Sequence, residues 1–196
     1  MKIGCDLDDV VVQWFSSFLK FFNPSQGTSY TLKDMTDFRL WTVGIGRTKQ
    51  EAIEFVDRFY ESEYFENIPF VEGAEEGLRL LDSKDRLIFI TSRSERYKPK
   101  TNALITSRLK KDIACLFFSG DFSQNGRKTK AEICVEEGVE HYIEDCLDYA
   151  NSVAEKGVSV SLFDKPWNQG DFVEGVKRVY NWKEILKHVE ETRRRK

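Results

Sequence analysis

Ile3-Gly4-Cys5-Asp6-Leu7-Asp8-Asp9-Val10-Val11-Val12 is the stretch whose reading decides the fold. Three carboxylates interrupt a run that otherwise reads as a buried strand and its continuation. Burying charge costs several kcal/mol unless the charge is paired or bound to a cation. Acids at this place therefore ask for a magnesium ion, a catalytic role, or both.

Working outward, further apolar runs at 86–91, 113–118, 141–144 and 158–163 join 2–7 as expected strands. Leu87-Ile88-Phe89-Ile90 is hydrophobic at every position, the pattern of a strand covered on both faces. Between the strands, apolar residues repeat at helical spacing. Ala74, Gly77, Leu78 and Leu81 form one stripe, Leu104, Ile105 and Leu109 another, and Leu147, Ala150, Val153 and Ala154 a third. Ala131, Ile133 and Cys134 follow a candidate cap at Thr129, and Trp182, Ile185, Leu186 and Val189 close the series. Strands alternating with helices predict an α/β domain with a mainly parallel sheet and right-handed crossovers.

One region breaks the alternation. From about Trp14 to about Val71 no buried strand is expected. An aromatic amphipathic segment, 14–22, leads into a polar loop with Pro24, Gly27 and Ser29, and a second stripe follows at Ile53, Val56, Phe59 and Tyr60. Ligands of open α/β sheets bind beyond the carboxyl ends of the strands. An insert rooted after strand one would cover that place, so residues 13–74 are expected to form a helical cap on a core of 1–12 and 75–196.

The totals agree with a globular protein. The chain has 196 residues, 40% hydrophobic and 32% charged, with fifteen Phe and four Trp for a core. A net charge of -3 gives no reason to expect nucleic acid or a membrane as a partner. The basic tail Arg193-Arg194-Arg195-Lys196 reads as a solvated end. Cys5, Cys115, Cys134 and Cys146 are widely spaced with no CxxC pair, so no zinc site is indicated, and three of them lie in apolar stretches and read as small core residues. With no signal peptide and no apolar run near the ~20 residues of a membrane span, the expectation is a reduced, cytoplasmic protein. No G-x-S-x-G and no P-loop occur, and Gly44-Ile45-Gly46 lacks the context of a dinucleotide fingerprint. His141 and His188 have no partner at a recognisable nucleophile motif.

Four signals fall at expected strand ends or helix starts: Asp6-Leu7-Asp8-Asp9-Val10, Thr91-Ser92-Arg93, Lys128-Thr129-Lys130 and Glu144-Asp145. In this order they resemble the motifs of the haloacid dehalogenase-like (HAD) phosphohydrolases over nearly the whole chain. Within that superfamily the chain is similar to the 5'(3')-deoxyribonucleotidases and their short relatives. Ile90-Thr91-Ser92-Arg93, Lys130-Ala131-Glu132-Ile133 and Tyr142-Ile143-Glu144-Asp145 carry that similarity, as does Leu162-Phe163-Asp164-Lys165-Pro166-Trp167-Asn168. The chain departs from it in two places. Asp9 stands where many members have Gly, and the acidic pair begins with Glu144 rather than Asp.

The resemblance implies a three-layer, Rossmann-like core with a small helical cap after strand one. It implies Mg²⁺ as cofactor and hydrolysis of a phosphomonoester through an aspartyl-phosphate. Asp6 would be the nucleophile and Asp8 the acid and base. Magnesium would be held by Asp6, the Asp8 backbone carbonyl and Asp145, with Glu144 in the outer shell. Thr91, Ser92 and Lys130 would bind phosphate; Lys128 competes with Lys130 for that role. Arg93 would contact phosphate or pair with an acid. Asp148 would share the site or serve a helix N-terminus. Trp14, Phe18 and Trp41 are candidates for a base pocket, against the plainer reading of a core stripe. Asp9 has no assigned role.

The expected substrate is a small phosphomonoester, a nucleoside monophosphate foremost. Sugar phosphates, a polynucleotide 3'-phosphate, and non-catalytic phosphate or nucleotide binding stand as alternatives. A homodimer is compatible with the sequence.

Overall fold

Six parallel strands form one sheet in the order β3-β2-β1-β4-β5-β6. The computed structural model describes residues 1–111, 113–120 and 127–195; of the basic tail, only Lys196 lies outside them. The strands are β1 (Lys2–Cys5), β2 (Arg86–Thr91), β3 (Leu116–Phe118), β4 (His141–Glu144), β5 (Ser159–Phe163) and β6 (Val176–Val179). Ile3 pairs with Leu87 on one side and with His141 on the other, so β1 lies centrally. Chain order reverses direction between β1 and β4, and in such sheets the crevice beyond the strand ends at that switch point takes the ligand.

Alternate residues of each strand feed two separate cores. Leu87 and Phe89 pack into one, Ile88 and Ile90 into the other; Ile143 and Tyr142 divide likewise. This is why Leu87–Ile90 of β2 is apolar at every position. On the second face lie α6 (Lys130–Glu136) and α7 (Leu147–Ala154). On the first lie α4 (Ala74–Asp82) and α8 (Trp182–Arg194), which pack against each other. The result is the three-layer α/β architecture.

Between β1 and α4 the chain contains α1 (Trp14–Gln26), two 3₁₀ turns, α2 (Lys49–Tyr60) and the short α3 (Glu63–Glu66). These three helices pack on one another around Phe18, Phe59 and Phe65. Entry and exit of the segment run side by side: the Gln13 amide donates to the Pro69 carbonyl, and the Val71 amide to the Val11 carbonyl. The remaining helix, α5 (Lys98–Ala103), follows β2 and continues into a π turn over Leu104–Arg108.

Four local differences from the sequence reading have simple causes. The first strand stops at Cys5, so Asp6 begins the loop instead of lying in the ladder. The third begins only at Leu116, because Ile113–Cys115 is a 3₁₀ turn. Strand β6 was not expected. Its sequence, Val-Lys-Arg-Val, carries charges because it is an edge strand, with Lys177 paired to Glu191. Helix α1 also runs past Pro24 to Gln26. A proline in the last turn forfeits little, and Gly27 at φ 64° closes the helix by donating to the Asn23 carbonyl.

Gly77 of α4 is required by close approach. A Cβ there would lie 2.2 Å from Trp182 Cε3 of α8. The Trp182 indole in turn donates to the Val10 carbonyl in the loop after β1. Gly77→Ala is expected to destabilise the protein by about 1–3 kcal/mol through overpacking, despite alanine's better helix propensity. A lowered urea midpoint at unchanged m-value checks this, and an unchanged or raised midpoint contradicts it.

Candidate active site

The loop after β1 is a tight turn whose geometry follows from Asp9. Asp9 has φ 54°, in the left-handed region that aspartate tolerates better than most residues. Its amide donates to the Val12 carbonyl, while the Val11 and Val12 amides both donate to the Leu7 carbonyl. The Asp9 carboxylate accepts the Phe15 amide at 3.0 Å and so caps the first turn of α1, where no other side chain does. Burial lifts its pKa to about 7, against the opposing pull of Lys165. The role of Asp9 is therefore structural, since it turns the chain and starts α1.

Asp6, Glu144 and Asp145 bring carboxylate oxygens within 4.8 Å of one another, all three buried. Lys130, at the start of α6, reaches into this group. Its Nζ donates to Asp6 Oδ1 at 2.7 Å and to Glu144 Oε2 at 2.8 Å, with only 2% of the residue exposed. Thr129 places it there: its hydroxyl accepts the Glu132 amide, and the Glu132 carboxylate in turn accepts the Thr129 amide. Lys128 points elsewhere, exposed and ion-paired with Glu136. Of the two lysines, then, only Lys130 meets the acids.

Glu144 is fully engaged. Besides Lys130, its Oε1 accepts the amides of Asp145 and Cys146. Asp145 is oriented by residues whose role the sequence reading left unassigned. Trp167 Nε1 donates to Asp145 Oδ2 at 2.8 Å, and the buried Asn168 side chain donates to the Asp145 and Phe163 carbonyls. The signal was present in Lys165-Pro166-Trp167-Asn168, a polar and aromatic cluster directly after a strand.

Negative charge is in excess here. Burial raises the pKa of Asp6 to about 7, reinforced by Glu144 and Asp8 and opposed by Lys130. Burial also raises Asp145, with Glu144 and Asp6 adding to the rise. Burial disfavours the Lys130 ammonium, but Asp6 and Glu144 outweigh it, so the lysine stays protonated well above the usual range. Hard oxygen donors, converged and short of positive charge, fit a divalent cation such as Mg²⁺.

The end of β2 supplies the opposite wall through Ser92 and Arg93, with Thr91 behind them and not itself lining the cavity. Thr91 is buried and its hydroxyl accepts the Arg93 amide; Ser92 bonds to Ser119. Arg93 makes a two-point contact with Asp8, Nε to Oδ2 at 2.9 Å and Nη2 to Oδ1 at 2.5 Å. Arg93 thus pairs with an acid, one of the two roles expected for it, and it also lines the cavity above. Asp148 stands in the first turn of α7, where the helix dipole favours an acid.

Above these groups is a cavity of about 400 Å³, within the range of small-molecule sites. Asp6, Asp8, Ser92, Lys130 and Asp145 line its floor, and Trp14, Phe38, Trp41 and Tyr60 form much of its apolar wall. Trp14 and Trp41 thus meet the cavity, but Phe18 does not. Phe18 is fully buried, stacked behind Trp14 at 5.1 Å between ring centroids, and edge-on to Phe59. One helical turn puts it directly behind Trp14, so it belongs to the core of the segment and not to a base pocket. Tyr60, Phe38 and Tyr149 also meet the cavity. Tyr60 lies on the stripe that predicted α2. Phe38 lies in irregular chain, beyond the reach of periodicity.

Comparison with known proteins agrees with this architecture. No protein-family model matches the chain. A Bacillus subtilis (strain 168) protein, YqfW, provisionally named a nucleotidase, is 26% identical over 196 residues, covering 95% of this chain and 92% of that protein. A HAD family hydrolase from Deinococcus radiodurans R1, solved with bound phosphate and sodium, superposes with a TM-score of 0.66 at 13% identity, over 97% of this chain and 95% of its own. The HAD-hydrolase YfnB of Bacillus subtilis, also provisionally assigned and solved bound to magnesium, gives 0.63 at 14% identity, over 96% and 97%. Among the described residues no helix is long and apolar enough to cross a membrane. The chain thus has the haloacid dehalogenase-like fold, and along nearly its whole length it resembles a protein named as a nucleotidase.

Proposed function

We propose that the protein is a Mg²⁺-dependent phosphomonoesterase, a 5'(3')-nucleotidase acting on ribo- or deoxyribonucleoside monophosphates through a phosphorylated Asp6. The observation that carries this reading is the position of Asp6. It is buried, bonded to Lys130 and grouped with Glu144 and Asp145 on the floor of a cavity with aromatic walls.

Lys130 holds Asp6 Oδ1, so Oδ2 is the attacking oxygen. It bonds to phosphorus while the ester P–O bond breaks and Asp8 gives its proton to the leaving alkoxide. Water then attacks the same phosphorus and yields a proton to Asp8. The P–O bond to Asp6 breaks, and inorganic phosphate leaves. Lys130 and the Thr91-Ser92 turn offset charge on the phosphoryl oxygens, the dominant contribution in phosphoryl transfer. Asp6, Asp145 and the Asp8 carbonyl would hold Mg²⁺, with Glu144 behind them, and the bound ion would supply positive charge opposite those oxygens.

Residues 13–74 act as a cap on a core of 1–12 and 75–196, and the cap supplies most of the apolar part of the substrate wall. That wall favours a flat, apolar group over a sugar, whose hydroxyls would lose hydrogen bonds against Trp14, Phe38 and Trp41. Phosphate release from a panel of 5' and 3' nucleoside monophosphates and sugar phosphates tests the reading. Nucleotides are expected to give the highest kcat/KM, and chelation of divalent ions to lower it at least about 100-fold. Preference for sugar phosphates would redirect the substrate assignment. Release unaffected by chelation would refute the metal.

A further inference from the structure

Arg93 lines the edge of the cavity, and its guanidinium is directed at Asp8. Its side chain is 1% exposed and three of its N–H groups are committed: Nε and Nη2 to Asp8, Nη1 to Thr101 Oγ1 at 3.3 Å. Only two of the five N–H groups are left over for any other partner, and the fork that would clamp a phosphate is the one Asp8 occupies. Two rings from the inserted segment lie against the guanidinium, Phe65 at 5.2 Å and Tyr60 at 5.7 Å from their centroids. Tyr60 is itself stacked on Tyr97, at 3.8 Å between centroids, just beyond the loop that carries Arg93. The Asp57 carboxylate accepts from Tyr97 and Arg96 in the same stretch. The guanidinium is thus fixed from both the core and the insert.

We infer that Arg93 is a positioning residue: its two-point contact fixes the Asp8 carboxylate for proton transfer, and Tyr60 and Phe65 of the insert fix Arg93. This rests on the assignment of Asp8 as acid and base made above. A carboxylate offers about four lone-pair positions, and the fork takes two. The others remain for the proton that passes to the leaving oxygen, and Asp8 lines the cavity where that oxygen would sit. Without the fork Asp8 would be an ordinary, mobile side chain with a quarter of its surface exposed.

The readout is dependence on the leaving group. In a two-step mechanism kcat/KM reports only the steps through departure of the alcohol. An alkoxide leaving group needs a proton; 4-nitrophenolate barely does. Arg93→Gln is therefore expected to lower kcat/KM for a nucleoside 5'-monophosphate about 100-fold, the size of a positioned general acid. For 4-nitrophenyl phosphate the loss should be under about fivefold, and Arg93→Lys, which keeps a charge in the pocket, should recover part of the nucleotide rate. Equal losses on both substrates, or a rise in KM alone, would overturn the positioning role and indicate phosphate binding. Asp8→Asn, measured alongside, separates the two levels. If it shows the same contrast between substrates and Arg93→Gln does not, the positioning role alone fails. If Asp8→Asn shows no contrast, the assignment of Asp8 fails and the role of Arg93 with it. Thermal melts of all three variants exclude misfolding as the cause, and Arg93→Lys carries the comparison should Arg93→Gln not fold.

Discussion

Asp6→Asn is expected to abolish turnover, lowering phosphate release from a nucleoside monophosphate by at least about 10⁴-fold, while leaving the fold intact. The rate loss follows from the chemistry. An amide matches the carboxylate in shape but is a poor nucleophile and forms no stable acyl phosphate. Removing a covalent nucleophile costs enzymes on this scale or more. Conservation of the fold follows from the surroundings. Asp6 is buried, and one of its oxygens is bonded to Lys130, which keeps Glu144 as a second partner.

The stability of the same variant has a definite sign. Burial raises the folded pKa of Asp6 to about 7, above the ordinary value of 3.8, so in the absence of divalent ions the fold favours the protonated form. Stability from that preference is present at low pH and is lost as pH rises from the ordinary value through the folded one. Asn carries no charge at any pH. In cation-free buffer its melting temperature should therefore gain on the parent's between pH 5 and pH 8. Parent-like release of phosphate would eliminate Asp6 as nucleophile. A melting temperature that falls relative to the parent over that interval would show that Lys130 compensates the charge fully.

Much of the scaffold was legible because burial on both faces leaves β1, β2, β4 and β5 dominated by buried residues, most plainly in the uninterrupted apolar run Leu87–Ile90 of β2. What escaped the sequence was set by position in the fold. Strand β6 is an edge with exposed Lys177, so its pattern was not apolar. Ile113–Cys115 is as apolar as the strand it leads into, and only the ladder distinguishes them.

At the site, acids at strand ends were visible because charge next to buried strands is costly and rare. The partners of those acids were less visible. Nothing in the spacing says that Arg93 meets Asp8, 85 positions away, or that Trp167 orients Asp145. Asp9 looked like surplus charge because it serves a backbone turn and a helix cap, contacts a linear sequence does not display. Trp14 and Phe18 looked equivalent at helical spacing. Both rings pack edge-on against Phe59, and only the further contact of Phe18 with Phe22 and its full burial separate the core residue from the wall residue in front of it.

Lys130→Met should be the most destabilising single change at the site, by about 3–5 kcal/mol in chelator. Methionine fills nearly the same volume, so loss of packing is small. The cost is electrostatic: Asp6 and Glu144 would face each other with no ammonium between them, both largely buried beneath the cavity. Since domains are stable by only about 5–15 kcal/mol, the urea midpoint should fall visibly while the transition remains measurable. Lys130→Met/Glu144→Gln tests the cause. Gln at position 144 retains an oxygen for the Asp145 and Cys146 amides but removes one of the stranded charges. The double variant should therefore recover at least about 1 kcal/mol over Lys130→Met, a non-additivity expected of groups in direct contact. Lys128→Met, on the exposed partner of Glu136, should stay within about 0.5 kcal/mol of the parent. Saturating Mg²⁺ should restore part of the stability lost in Lys130→Met, because a cation among Asp6, Glu144 and Asp145 replaces the missing positive charge. Activity should not return with it. The ion would balance the acids, but no ammonium would then face the nucleophile and the phosphoryl oxygen together, and loss of one such charge costs about 10²–10³ in rate. A Lys130→Met protein as stable as the parent in chelator would mean that water, not the lysine, compensates these acids, and would remove the electrostatic basis for the site.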